Sequence, residues 1–257
     1  MLKYWLERYD RSSLVAFTLL IAVAGLIGYR FSDLIDSSGG MDWLLATTWV
    51  AMAALLSWDV DPRRDLLLLA VGFAGGFVIE WWGTNTQLWS YFTSQRPPPW
   101  ILPAWPIAAL SIERIRRLLD RFVSTRRFDP PSVSVFRAIY WCVIPAFNLA
   151  LLAFIWPSMG LPASWVVGAL VLGVSLRCPE PRRDVLLFAA GSLLGIFLEY
   201  WGTSRECWTY YNHQVPPPAA VFAHGFASVA FARGYDLVER VFVLVFPLPT
   251  PQAERSA

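Results

Sequence analysis

Residues 61–91 read DPRRDLLLLAVGFAGGFVIEWWGTNTQLWSY, and residues 180–210 read EPRRDVLLFAAGSLLGIFLEYWGTSRECWTY. About half of the positions are identical. Each copy opens on an acid-Pro-Arg-Arg-Asp motif, continues through an apolar run, and carries one glutamate at the same place, Glu80 and Glu199 (199 − 80 = 119). A carboxyl inside an apolar helix is costly, and such groups face protein or a cavity rather than lipid. Its presence in both copies makes this pair the first candidate for function.

Working outward, the composition fixes the class. The chain has 257 residues, of which 56% are hydrophobic and 16% charged, and its mean hydropathy is +0.46. A soluble domain carries about 25% charged residues. We read an all-α integral membrane protein. The formal net charge of +2 gives no reason to expect a nucleic-acid partner. Apolar runs at 14–29, 43–58, 66–82, 100–112, 136–156, 163–176, 185–201 and 219–231 make about eight transmembrane helices. The first run lacks a small-x-small cleavage pattern and is expected to stay as a span. A shift of 119 superimposes the first four runs on the last four, and Pro97–Pro99 falls on Pro216–Pro218. The expected organisation is two four-helix pseudo-repeats, residues 1–130 and 131–257. Four spans per unit is an even number, so the copies run parallel.

Basic residues set the orientation. With the N-terminus inside, Lys3, Arg8, Arg11, Arg63, Arg64, the cluster from Arg114 to Arg137, Arg177, Arg182, Arg183, Arg233, Arg240 and Arg255 are cytoplasmic. Only Arg30, Arg96 and Arg205 fall outside, where Asp33, Asp36 and Asp42 add acidity. A multi-pass protein of the bacterial inner membrane with both termini cytoplasmic follows. Cys142 falls in a span and Cys178 and Cys207 on opposite sides, so no disulfide is expected.

Gly72, Gly76 and Glu80 recur every four residues, as do Gly191, Gly195 and Glu199. That spacing shares one helix face, and small residues let backbones approach closely in lipid. The glutamates are therefore expected to point at protein, with their two helices candidates to pack together. Asp65 and Glu80 lie fifteen residues apart, about 22 Å at 1.5 Å per residue, which puts Glu80 toward the outer face. A carboxyl out of water favours its neutral form, so the sequence predicts at least one glutamate protonated at neutral pH. A protonated carboxyl in a dry site is a Brønsted acid.

A shared signature follows each glutamate. Trp82, Gly83, Thr84, Trp89 and Tyr91 match Trp201, Gly202, Thr203, Trp208 and Tyr210. The glycine is read as a helix C-cap. The aromatic and threonine residues, with His224, are the candidate pocket lining; aromatic faces stabilise cations. Trp105 and His224 occupy matching positions, a polar difference between the halves. Plainer readings stand beside these. The aromatics form an interfacial belt, and the glutamates bond Thr84 and Thr203 and pin helices. The Pro-Arg-Arg motif is a helix start with Pro at its first position, or a site for an isoprenoid diphosphate. His213 and His224 make no metal-ligand pair at helical spacing, so no metal is expected.

Glu80-x-x-Gly83, Trp89-x-Tyr91 and the proline- and tryptophan-rich return from Pro97 to Trp105, each with a second copy, resemble the membrane carotenoid-biosynthesis proteins. These are the bacterioruberin-type C50 carotenoid hydratases and the small membrane lycopene cyclases. The resemblance implies cofactor-free acid chemistry on a polyene, with Glu80 and Glu199 as donor and base. The substrate would be a lipophilic small molecule taken from the bilayer. A proton-coupled transporter and a non-catalytic membrane subunit are the competing classes, and the sequence assigns no oligomeric state.

Overall fold

Proline opens both glutamate helices. In the computed structural model, which describes residues 8–30, 42–124 and 132–245, Pro62 and Pro181 stand at the first turns of matching helices. Proline has no N–H to satisfy there. Asp61 caps the first, accepting from the Arg64 N–H at 3.2 Å. Glu180 makes no cap bond; its longer side chain reaches the Arg183 guanidinium at 3.2 Å instead.

The described residues form eight helices and one pair of short strands. In chain order they are α1 (Arg11–Arg30), α2 (Asp42–Leu56), α3 (Pro62–Asn85), β1 (Trp89–Tyr91), α4 (Ala104–Ser124), α5 (Val133–Ile155), α6 (Pro162–Ser175), α7 (Pro181–Ser204), β2 (Trp208–Tyr210) and α8 (Pro218–Val245). A 3-10 turn, Trp156–Ser158, follows α5. The strand pair departs from the all-helical expectation. Among the described residues, four stretches are long and apolar enough to cross a membrane: Arg11–Arg30, Pro62–Asn85, Val133–Ser158 and Pro181–Ser204. Two shorter helices are apolar, Ala46–Leu56 and Pro162–Ser175. Large apolar side chains lie exposed along these helices, Phe73, Phe77 and Trp81 on α3 and Leu193, Phe197 and Tyr200 on α7 among them. Soluble proteins do not leave apolar surface bare on this scale; the chain is membrane-associated. Lys3, Asp33, Asp36, Arg126, Arg127 and Arg255, which enter the orientation argument, and the boundary near residue 130, lie outside the described residues.

The centre is built from α3, α4, α7 and α8. Leu68, Ala109, Ala227, Phe231 and Tyr235 join α3, α4 and α8 in one cluster. Tyr140, Ile144, Phe147, Phe188, Phe226 and Val229 join α5, α7 and α8 in another. The glycine faces do point at protein, but not at each other. Gly72 and Gly76 lie against Trp105, Pro106 and Ala109 of α4, and Gly191 and Gly195 against His224, Gly225 and Ser228 of α8. The glutamate helices pack on the returning helices rather than together, because the returning segment follows each by a short connection and covers its small face first. Contact is closest between α7 and α8, where a methyl on Gly191 would meet the Ser228 hydroxyl and one on Gly225 the Ser192 hydroxyl.

Charge collects at the other end of the centre. Arg114 pairs with Asp65, and at the matching positions Arg233 pairs with Asp184 at 2.7 Å. Arg64 reaches Glu113 at 2.8 Å, while Arg183 reaches Asp236 at 3.0 Å. Both Pro-Arg-Arg motifs, with Arg116, Asp120, Asp236 and Arg240, line one open groove of about 1880 Å³. The hairpin α1–α2 packs chiefly on itself, with α2 touching α4, whereas α5 packs on α7 and α8.

Candidate functional site

Each glutamate helix ends in the same turn. The helices run on through the glycine to Asn85 and Ser204, so Gly83 and Gly202 are not C-caps. They are glycines because a ring lies on them: a methyl on Gly83 would land on the Trp89 indole, and one on Gly202 on the Trp208 indole. The chain then reverses through Gln87 and Glu206, at φ of 59° and 55°. Leu88 and Cys207 donate back to the carbonyls of Gly83 and Gly202, both at 2.9 Å. That reversal aims each strand back across its own helix.

The two strands pair with each other. The ladder is antiparallel, with Trp89 opposite Tyr210, Ser90 opposite Thr209 and Tyr91 opposite Trp208. Residues i and i+2 of a strand share a face, so Trp89 and Tyr91 both turn to Glu80, and Trp208 and Tyr210 both turn to Glu199. Rings cross the ladder in matching pairs, Trp89 with Tyr210 at 6.2 Å and Tyr91 with Trp208 at 6.1 Å.

Each carboxyl sits in a three-donor shell. Glu80 Oε2 accepts from Trp89 Nε1 at 3.0 Å and from the Tyr91 hydroxyl at 2.8 Å; Oε1 accepts from Trp105 Nε1 at 3.0 Å. Glu199 Oε2 accepts from Trp208 Nε1 at 3.0 Å and from the Tyr210 hydroxyl at 2.8 Å; Oε1 meets His224 Nε2 at 2.9 Å. Glu80 is 4% exposed and Glu199 5%. A carboxyl taken this far from water needs such partners. The Trp105 and His224 rings stack on one another at 5.7 Å and 15°.

Both carboxyls line one cavity of about 150 Å³. Its walls are aromatic and aliphatic: Trp82, Trp89, Tyr91, Trp105, Trp208, Tyr210 and His224, with Leu151 and Phe154 of α5. A second, polar pocket of about 370 Å³ lies on the other side of the ladder, lined by Thr84, Gln87, Ser90, Gln95, Arg96, Thr209 and His213. Trp89, Tyr91 and Tyr210 line both, so the ladder is the partition between them.

Three residues named from the sequence do not reach the cavity. Thr84 and Thr203 are buried, but their hydroxyls donate to the backbone carbonyls of Glu80 and Glu199, each at 2.6 Å. That is the usual bond of a helical threonine to the carbonyl four residues back; neither bonds a carboxyl. Trp201 is 48% exposed, whereas its counterpart Trp82 is 6% exposed and donates to the Ser164 hydroxyl at 3.2 Å. Helix α6 covers Trp82; among the described residues nothing comparable covers Trp201. Trp105, Leu151 and Phe154 belong to the site and were not predicted. The signal for Trp105 was its match to His224. Compared with protein-family models, with curated proteins and with solved structures, the chain matches none.

Proposed function

We propose that this chain is a multi-pass inner-membrane protein of eight spans in two parallel halves, and that its cavity performs acid–base chemistry on the unsaturated end of an isoprenoid or carotenoid-type lipid. The observation that carries the reading is the pair of buried glutamates on one cavity. The parallel arrangement is supported by both Pro-Arg-Arg motifs lining one groove and both Trp-x-Tyr strands meeting in one ladder. The groove's arginines suit the cytoplasmic face, which supports reading that side, and with it the termini, as cytoplasmic.

One carboxyl gives its proton to a carbon of a C=C bond. The π pair becomes the new C–H bond, and the neighbouring carbon is left as a cation facing the aromatic walls. In hydration, water adds to the cation and the second carboxylate takes the surplus proton. In cyclisation, another C=C adds to it and the second carboxylate takes a proton from the adjacent carbon. Either route ends with one proton moved between the glutamates, and its return restores the site. A dry cavity near 150 Å³ admits a benzene-sized group, so it fits one end of a polyene. The exposed apolar helix faces suit the remainder, and the polar pocket behind the ladder is a source of water.

Expression in a carotenoid-producing host tests this. We expect the wild type to shift a pigment by the mass of one water, or to an isomer, and Glu80→Gln and Glu199→Gln each to lower that conversion by about 10²–10⁴. Identical extracts from all three strains would refute the enzyme. Flux in vesicles that follows a pH gradient would put a proton-coupled carrier in its place.

A further inference from the structure

The two carboxyl shells differ at one atom. On the Oε2 side they are the same: an indole N–H at 3.0 Å and a phenol at 2.8 Å in each. On the Oε1 side, Glu80 meets an indole and Glu199 meets an imidazole. An indole N–H can only donate, whereas a neutral imidazole nitrogen donates or accepts according to its tautomer. A proton placed on Glu80 Oε1 finds no acceptor in Trp105, whose N–H can only donate. A proton placed on Glu199 Oε1 reverses the bond and keeps it, with His224 Nε2 now accepting.

We infer that His224 divides the two glutamates into unlike roles: Glu199 carries the exchangeable proton, and Glu80 remains the acceptor. The catalytic meaning rests on the reaction proposed above; the protonation difference stands on the geometry alone. His224 acts through Glu199 and is a positioning residue for its proton. The titratable groups that share its cavity are Glu199 on α7, Glu80 on α3, Tyr91 on β1 and Tyr210 on β2, and no lysine or arginine lines that cavity among the described residues. Trp105, from α4, stacks on the imidazole. A proton leaving the Glu199–His224 pair therefore enters the cavity that Glu80 also lines. In the proposed reaction, Glu199 protonates the alkene and Glu80 takes up the proton released when the cation is captured. A proton passing back across the cavity to the Glu199–His224 pair completes the cycle.

Infrared difference spectroscopy of the purified full chain in detergent, without substrate, tests the assignment. The readout is the C=O stretch of a buried protonated carboxylic acid, identified by its shift in heavy water. We expect one such band at neutral pH, absent in Glu199→Gln and present in Glu80→Gln, two variants of equal chemical disruption. His224→Trp makes the halves alike and should remove the band. His224→Gln, whose amide still offers an acceptor, should keep it. The inference is overturned by a band lost in Glu80→Gln but kept in Glu199→Gln, by a band that His224→Trp leaves untouched, or by no band in the wild type. Failure here with glutamate-dependent pigment conversion would remove the division of roles and leave the enzyme. A band assigned to Glu199 with unchanged pigments would do the reverse.

Discussion

The Glu80 half and the Glu199 half agree where geometry leaves no choice and differ where a neighbour differs. The turn, the glycine under an indole, and the indole and phenol on each Oε2 are common to both. Those features depend only on residues inside the repeated stretch. The differences come from outside it. Trp105 and His224 arrive from the returning helices. Trp82 is covered by α6 and Trp201 is not. Arg64 answers Glu113, but Ala232 stands at the position matching Glu113, so Arg183 turns to Asp236. A repeat preserves a local constellation, and its surroundings decide what each copy does with it.

The largest break in the comparison should come from the buried ion pairs. Arg114 has a side chain 0% exposed on Asp65, and Arg233 one 17% exposed on Asp184. Arg114→Met strands a buried carboxylate and should cost about 3–5 kcal/mol in unfolding experiments in detergent. Arg233→Met strands Asp184, whose side chain is 3% exposed against 10% for Asp65, so it should cost at least as much, and a clearly smaller loss would mean that water reaches that end beside the less buried arginine. Next come the phenols. Tyr91→Phe removes a donor from Glu80, and a hydrogen bond to a charged group contributes about 1.5–3 kcal/mol. Tyr210→Phe should cost about 0.5–1.5 kcal/mol, the value for a neutral partner, if Glu199 carries the proton. Identical losses would erase the distinction between the glutamates.

A further break is acid sensitivity, and it belongs to the first half. Burial raises the Glu113 carboxyl, but the Arg116 hydrogen bond and the charges of Arg116, Arg64 and Arg117 outweigh it and hold the group at about 2, below its ordinary 4.5. A group lowered on folding stabilises the fold fully above its unfolded value and loses that contribution as pH falls through its folded one. The first half should therefore loosen as pH drops from about 4.5 to about 2. Tryptophan fluorescence against pH should show the transition in the wild type and a flatter profile in Glu113→Gln.

The helices and the carboxyls were legible because both have local signals: apolar runs, proline at helix starts, and glycine every four residues before the acid. Trp89, Tyr91, Trp208 and Tyr210 were legible as candidate lining because the same signature follows each glutamate; the strand that turns both rings of each copy to one side was not expected. Their partner was not, because a three-residue ladder between segments so far apart leaves no local trace. Trp201 misled because its motif is copied and its covering helix is not; burial belongs to the neighbours, not to the residue. Thr84 and Thr203 misled because a hydroxyl near a glutamate in sequence bonds the nearer backbone carbonyl first.

The ladder has a consequence for symmetry. Ser90 faces Thr209, its own equivalent, and Trp89 faces Tyr210 as Tyr91 faces Trp208. Such self-complementary pairing is what two identical subunits form about a dyad. Two identical halves about such a dyad would bring two equivalent acids to the ladder, with a histidine beside each or beside neither. Within one chain a histidine can stand beside a single acid, as His224 stands beside Glu199.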